Sequence, residues 1–217
     1  MMKNNDCGRS MIEMMGVLAI IGALSVGGIA GYSKMLNQSK INKAIEQINV
    51  ISGQLSTIGA GGGTYSGISN KTAIKLKAVL DDMVTGASTI KNPFGGDVTI
   101  ASSNMMSVNG GDIDNMAYFI RYGGLNHQAC MAMATHDWGS AKNSSFIAFM
   151  VGSESAVNAN GLKNYPLNCA GSGYNLSVSV GCNNGSSVGV PLPVTEAATA
   201  CASCRNNSSC AVAVKYY

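Results

Sequence analysis

Residues 14–32 carry no charged side chain, and at helical rise that run spans roughly 28 Å, about the thickness of a bilayer's hydrocarbon core. The pattern predicts a membrane-spanning helix, entered from eight polar or small residues, 1–8, and holding one acid, Glu13, near its start. A carboxylate left alone in such a segment costs on the order of 2 to 3 kcal/mol, so Glu13 is expected to have a partner. The helical signal then continues. Ile41, Ala44, Ile45, Ile48, Ile51, Leu55 and Ile58 recur at three- and four-residue intervals, while Lys34, Lys40, Lys43, Glu46 and Gln47 lie largely off that stripe. This half is therefore expected to pack one apolar face on a globular body and wet the other. Residues 59–63, four glycines and an alanine, end it. From Arg9 to Ile58 such a helix is roughly 75 Å long, far beyond an average globular helix. Ala23, Gly27 and Gly31 add a ridge of small residues at four-residue spacing, which lets helices approach closely; plain membrane-helix composition accounts for the glycines equally well.

Residues 59–217 read differently. They are rich in Gly, Ser and Asn, and short apolar or alternating runs are separated by turn signals, which predicts an antiparallel sheet. Strands are expected at 98–101, 105–108, 117–122, 145–151, 176–180 and 210–216, and short helices at 71–84, 128–135 and 195–203, with Thr195 as the start of the last. The fold class is α+β: a long N-terminal helical stalk, membrane-spanning in its first half, packed on an antiparallel sheet head held by disulfides.

The formal net charge is +3, with lysines and arginines scattered singly, so no dedicated nucleic-acid surface is indicated. Cys7 precedes the apolar run; Cys130, Cys169, Cys182, Cys201, Cys204 and Cys210 follow the stalk. Six cysteines in an exported domain read as up to three disulfides, for which spacing alone leaves fifteen pairings. Cys169 with Cys182 closes a short loop.

The run Gly8-Arg9-Ser10-Met11-Ile12-Glu13-Met14-Met15-Gly16-Val17-Leu18-Ala19-Ile20-Ile21-Gly22 resembles the amino-terminal signature of type IV pilins and secretion pseudopilins over about thirty residues. The resemblance implies a leader, 1–8, that a prepilin peptidase cuts after Gly8, methylating the new amino terminus and leaving Glu13 as fifth residue of the mature chain. It implies a stalk over 9–58, with 9–32 in the membrane or filament core, and a head over 59–217. It further implies a helical homopolymer built with an ATPase, a membrane platform and often a secretin, stored in the bacterial inner membrane and displayed outside the cell. Adhesion, aggregation, motility and mating are the roles such filaments serve. Two positions depart from the pattern: Arg9 stands where phenylalanine or another apolar residue is usual, and the first proline is Pro93, so no proline kinks the membrane helix. Asn92-Pro93-Phe94-Gly95-Gly96 before the strand at 97–101 is similar to a segment of type IVb pilins, whereas the short leader resembles type IVa. Cys130 joined to one of the carboxy-terminal cysteines is the disulfide that the resemblance implies.

Alternatives stand beside this reading. Glu13 pairs either with the terminal ammonium of a neighbouring chain, fixing axial stagger, or with Arg9 of its own helix. Ala23-Leu24-Ser25 would suit an ordinary signal peptide, although the apolar run continues through Val26 and Ile29. A minor pilin or pseudopilin that primes or tips a filament is a further reading, told from a major pilin by abundance in sheared fibres and not by anything in this sequence. A membrane-anchored thiol protein would use Cys201 and Cys204, whose spacing also fits half a zinc site, but no further ligands are placed by motif. His127 and His136, near Asp137 and Trp138, lack a nucleophile to complete a triad; residues 59–63 lack the Lys-Ser or Lys-Thr end of a phosphate loop; Asp112, Asp114 and Asn115 make a poor calcium cage and read as a polar turn. No cofactor, metal or catalytic residue is expected.

Overall fold

The computed structural model describes residues 7–106, 112–139, 145–157, 178–182, 191–205 and 209–217. Helix α1 runs Cys7–Gly62, and the chain divides into two compact units, Met1–Ser39 and Lys40–Tyr217. The described residues of the first unit are all helical, and from Met11 to Leu36 every large apolar side chain is exposed.

In the second unit, α1 lays Ile41, Ala44, Ile48, Ile51 and Leu55 against the sheet, all fully buried, as the three- and four-residue spacing requires. Two positions depart from the expected stripe. Ile58 is exposed because the next buried position is Gly59, four residues after Leu55, and Gln47 is buried, its Oε1 accepting from the Tyr122 hydroxyl at 3.4 Å. After Gly62 the chain turns through Gly63 at φ +71, which glycine adopts without strain, and the Gly63 amide returns to the Gly59 carbonyl.

The sheet has six antiparallel strands: β1 (Ile90–Lys91), β2 (Asp97–Met106), β3 (Asp112–Leu125), β4 (Phe146–Ser153), β5 (Val178–Cys182) and β6 (Cys210–Tyr216). Their order is β1-β2-β3-β6-β4-β5, so β6 lies between β3 and β4, with Ile120 opposite Val214 and Phe149 opposite Val214 on its other side. The strands expected at 98–101 and from 105 are one strand, β2, because a bulge between Ser103 and Met105 absorbs the polar interruption; residues 107 and 108 of the expected 105–108 lie outside the described residues. The 112–115 segment is not a turn but the start of β3; Asn115, at φ +58, sits at that bulge and donates its amide to Asn104 Oδ1. The strand expected at 176–180 is observed as β5; residues 176 and 177 lie outside the described residues.

Of the helix expected at 71–84 only α2 (Asn70–Lys75) forms, followed by a 3₁₀ turn, Asp81–Met83. Lys77 takes φ +56, and Ala78 donates back to the Ala73 carbonyl, a left-handed stop in which lysine occupies a place usually held by glycine. Helix α3 (His127–Ala134) is capped by Asn126, whose Oδ1 accepts from the Ala129 amide at 2.8 Å. Helix α4 (Val194–Ala200) starts after Pro193 rather than at Thr195 and passes into a 3₁₀ turn, Ala202–Arg205.

Asn92 organises the corner before β2. Its buried amide accepts from the Phe94 and Gly96 N–H groups and donates to the Gly123 carbonyl at 2.7 Å. The close approach leaves no room at Gly96, where a Cβ would lie 2.0 Å from Gly123 O. Asn70 does similar work along β2, donating to Val98 O and accepting from Ile100 N, so a side chain continues the hydrogen-bond ladder past the two-residue β1. The face of the sheet turned to α1 carries Tyr118, Tyr122, Val212, Val214 and Tyr216 in one core; the opposite face carries a smaller cluster of Phe119, Met150, Val157, Ala211 and Ala213.

Candidate functional site

The first candidate is the exposed half of α1. Apart from Glu13 and Lys34, residues 11–36 present no charge, and the helix is long and apolar enough to cross a membrane by length and composition. Each large apolar side chain contributes about 1.5–3 kcal/mol when fully buried, so together they represent tens of kcal/mol that the isolated chain leaves unrealised. A contiguous surface of that kind marks contact with lipid or protein. Its serine hydroxyls are already satisfied within the helix, Ser25 Oγ donating to Ile21 O at 2.7 Å and Ser33 Oγ to Ile29 O at 3.0 Å, which suits a medium without water. Glu13 is exposed at the start of this surface. Ala23, Gly27 and Gly31 lie on one helix face and are exposed, and a Cβ at either glycine meets nothing within 4 Å, so any close approach they permit belongs to another molecule. Gly8 and Arg9 are within α1 by backbone, the Arg9 side chain lying outside the described residues.

The second candidate is a cluster of cysteines beneath α3 and α4. Cys130 on α3 is bonded to Cys201 at the end of α4, with Cα atoms 5.9 Å apart, and Cys204 in the following turn is bonded to Cys210, the first residue of β6, at 5.5 Å. Cys130, Cys201 and Cys210 are fully buried. His127 Nδ1 lies 3.0 Å from Cys201 O, a further tie between the two helices. The Sγ atoms of Cys130, Cys201 and Cys204 fall within 4.8 Å of one another, yet each is already in a disulfide and has no thiolate to offer a metal. Cys201 and Cys204 are thus bonded to different partners and not to each other. Cys182 ends β5 with its side chain outside the described residues, as is the whole of Cys169.

Two polar arrangements gave no sequence signal. Tyr118 donates its hydroxyl to Ser52 O at 2.9 Å and shares a 3.0 Å contact with Ser56 Oγ, while its ring lies 4.7 Å from that of Tyr65 and 5.7 Å from that of Tyr216. Burial pushes the Tyr118, Tyr122 and Tyr216 phenols well above their ordinary value. On the other face Arg121 donates to Glu154 O at 3.0 Å and pairs with its carboxylate at 3.6 Å, and Ser209 and the Gly124 amide bond to the same carboxylate. These residues lie far apart in sequence, and only the register of β3, β4 and β6 brings them together. His136 stands half-buried against Trp138, whose Nε1 donates to Met133 O; burial holds the imidazole below its usual value. Nothing near it forms a triad among the described residues.

Comparisons with known proteins agree in direction. A family model described as PilS N terminal matches residues 38–175. The chain is 25% identical over 142 residues to a protein named major structural subunit of bundle-forming pilus from Escherichia coli O127:H6 (strain E2348/69 / EPEC), covering 65% of this chain and 70% of that one, and it matches the same subunit of Escherichia coli O111:H- equally. Among solved structures, a type IV b pilin from Salmonella typhi aligns with a TM-score of 0.47 at 14% identity, over 81% of this chain and 98% of that one. TcpA, a type IV pilin from Vibrio cholerae El Tor biotype, aligns with a TM-score of 0.45 at 17% identity, over 82% and 99%.

Proposed function

This chain belongs to the PilS N-terminal family and is a type IV pilin, a non-enzymatic subunit of a type IV pilus, and from that premise we propose how it is processed and assembled. A prepilin peptidase removes residues 1–8 by cutting after Gly8 and methylates Arg9. Residues 9–32 hold the chain in the bacterial inner membrane with the head, 59–217, exported. An ATPase, a membrane platform and a secretin then drive polymerisation through the stalk, 9–58, into an extracellular filament that serves adhesion, aggregation, motility or mating. The observation that supports this most is the exposed apolar surface of α1 from Met11 to Leu36, with one carboxylate at its start and one lysine, Lys34, near its end.

In the filament, Glu13 accepts the terminal ammonium of the chain already assembled. Away from water an ion pair of this kind acts more by fixing register than by adding stability. Ala23, Gly27 and Gly31 then let neighbouring stalks approach. The major-subunit role is supported by the names of the curated relatives, and a type IVb-like head by the Asn92 corner that leads into β2.

The test is Glu13→Ala. The variant is expected to yield a mature amino terminus at Arg9 by sequencing while no filaments appear among sheared surface fibres. Normal filaments from the variant would remove the proposed role of Glu13. A mature terminus near Val26 would point instead to an ordinary signal peptide and a free exported domain.

A further inference from the structure

We propose that Cys130, Cys201, Cys204 and Cys210 form a single thiol–disulfide exchange site, the substrate of a dithiol, in which opening the short Cys204–Cys210 bridge passes the break to the long-range Cys130–Cys201 bridge. The inference concerns the head alone and does not depend on how the filament assembles.

Exchange needs a thiolate within reach of a disulfide sulfur and a product pairing that the backbone can hold. Both conditions are met. The Sγ atoms of Cys130, Cys201 and Cys204 lie within 4.8 Å of one another, so a rotamer change brings Cys204 against the neighbouring bridge. The Cys204 amide donates to the Cys201 carbonyl at 3.1 Å, closing a four-residue turn. Such a turn holds its first and last Cα atoms less than about 7 Å apart, a span that overlaps the separation disulfides accept. Cys201–Cys204 is therefore a third pairing available without moving a helix. Access is ordered as well. Cys130, Cys201 and Cys210 are at 0% exposure and Cys204 at 7%, so of the four residues only Cys204 reaches the surface, and the approach of an outside thiolate is expected there.

The steps balance. One thiolate of the dithiol attacks Cys204 Sγ, the Cys204–Cys210 bond breaks, and Cys210 leaves as a thiolate that takes a proton. The second thiolate of the dithiol displaces Cys204, so the dithiol departs as an internal disulfide, having given two electrons to the protein. The Cys204 thiolate then attacks Cys201 Sγ. A Cys201–Cys204 bond forms, the Cys130–Cys201 bond breaks, and Cys130 leaves as a thiolate that takes the second proton; this last step is redox-neutral. The product carries thiols at Cys130 and Cys210, and no disulfide links α3 to α4. A dithiol enzyme correcting mispaired heads would gain access to the buried long-range bridge through the short one.

The full mature chain, oxidised and held in detergent micelles, is treated with limiting dithiothreitol at neutral pH, quenched with acid to remove thiolates, labelled with N-ethylmaleimide and mapped by mass spectrometry without further reduction. Among species with two newly freed thiols, the expected label lies on Cys130 and Cys210 with a Cys201–Cys204 bond; label on Cys201 and Cys210 with a Cys130–Cys204 bond likewise supports exchange. Label confined to Cys204 and Cys210 with Cys130–Cys201 intact overturns the proposal, as does label on Cys130 and Cys201 with Cys204–Cys210 intact. In Cys210→Ser, Cys204 loses its partner, and the expected result is a mixture of Cys130–Cys201 and Cys201–Cys204 pairings. Cys130–Cys201 alone with Cys204 fully labelled counts against it. The reduction of the native chain stands whether or not that variant folds.

Discussion

The two disulfides close loops of very different length, and their contributions to stability are expected to differ accordingly. Cys130 and Cys201 are 71 residues apart in sequence, Cys204 and Cys210 only 6. In the chain-entropy account, cross-linking restricts the unfolded chain by an amount that grows with the logarithm of loop length, giving about 4 kcal/mol for the first and about 2 kcal/mol for the second at 25 °C. The comparison is made between Cys130→Ser with Cys201→Ser and Cys204→Ser with Cys210→Ser. Each pair places two serine hydroxyls where sulfurs were nearly or fully buried, so that common cost largely cancels and the loop term remains. A difference of about 2 kcal/mol in a domain of this size corresponds to roughly 4–8 °C in Tm. Thermal unfolding of the mature chain in micelles, followed by the near-ultraviolet circular dichroism of its buried tyrosines, measures it. Equal losses in the two variants, or a larger loss from Cys204 and Cys210, would refute the entropic reasoning.

Gly96→Ala puts a Cβ 2.0 Å from Gly123 O and 2.8 Å from Gly124 Cα, both backbone atoms of β3 where its pairing with β6 shifts register, and is expected to destabilise by about 3 kcal/mol or more. Gly53→Ala, on an exposed stretch of α1 with nothing within 4 Å, is the control and is expected to stabilise by about 0.5–1 kcal/mol in the same melt; similar Tm values for the two would contradict this account of the corner. Tyr118, Tyr122 and Tyr216 keep their protons in the folded state above the pH at which unfolded tyrosine ionises, so the folded chain binds more protons there. Their contribution is complete below about pH 10 and declines as pH rises above it, so the share of the phenolate absorbance that belongs to these three should appear in one cooperative step together with loss of near-ultraviolet dichroism. A gradual titration with dichroism retained would show those hydroxyls to be open to solvent.

What could be read in advance was whatever depends on local periodicity. The stripe on α1 was legible because Ile41, Ala44, Ile48, Ile51 and Leu55 repeat with the helix. Gln47 is polar, yet its position three residues after Ala44 and four before Ile51 puts it on the buried face to meet Tyr122. The helix expected at 71–84 stops early because Lys77 takes the left-handed region, and lysine carries no such signal. The Arg121–Glu154–Ser209 arrangement and the central place of β6 were invisible, since both come from pairing between segments distant along the chain. For the candidate sites, α1 announced itself by composition. The pairing among Cys130, Cys201, Cys204 and Cys210 depended on how α3, α4 and β6 converge, which spacing alone left among fifteen choices.

The place of β6 also sets an order of events during export. A head that ends before residue 210 lacks the one strand that pairs with both β3 and β4, so the sheet would be left as two ribbons, β1-β2-β3 and β4-β5. Cys204 must likewise wait for Cys210. A subunit truncated there would carry unpaired edges on β3 and β4 and is expected to be cut by proteases that leave the full-length head intact.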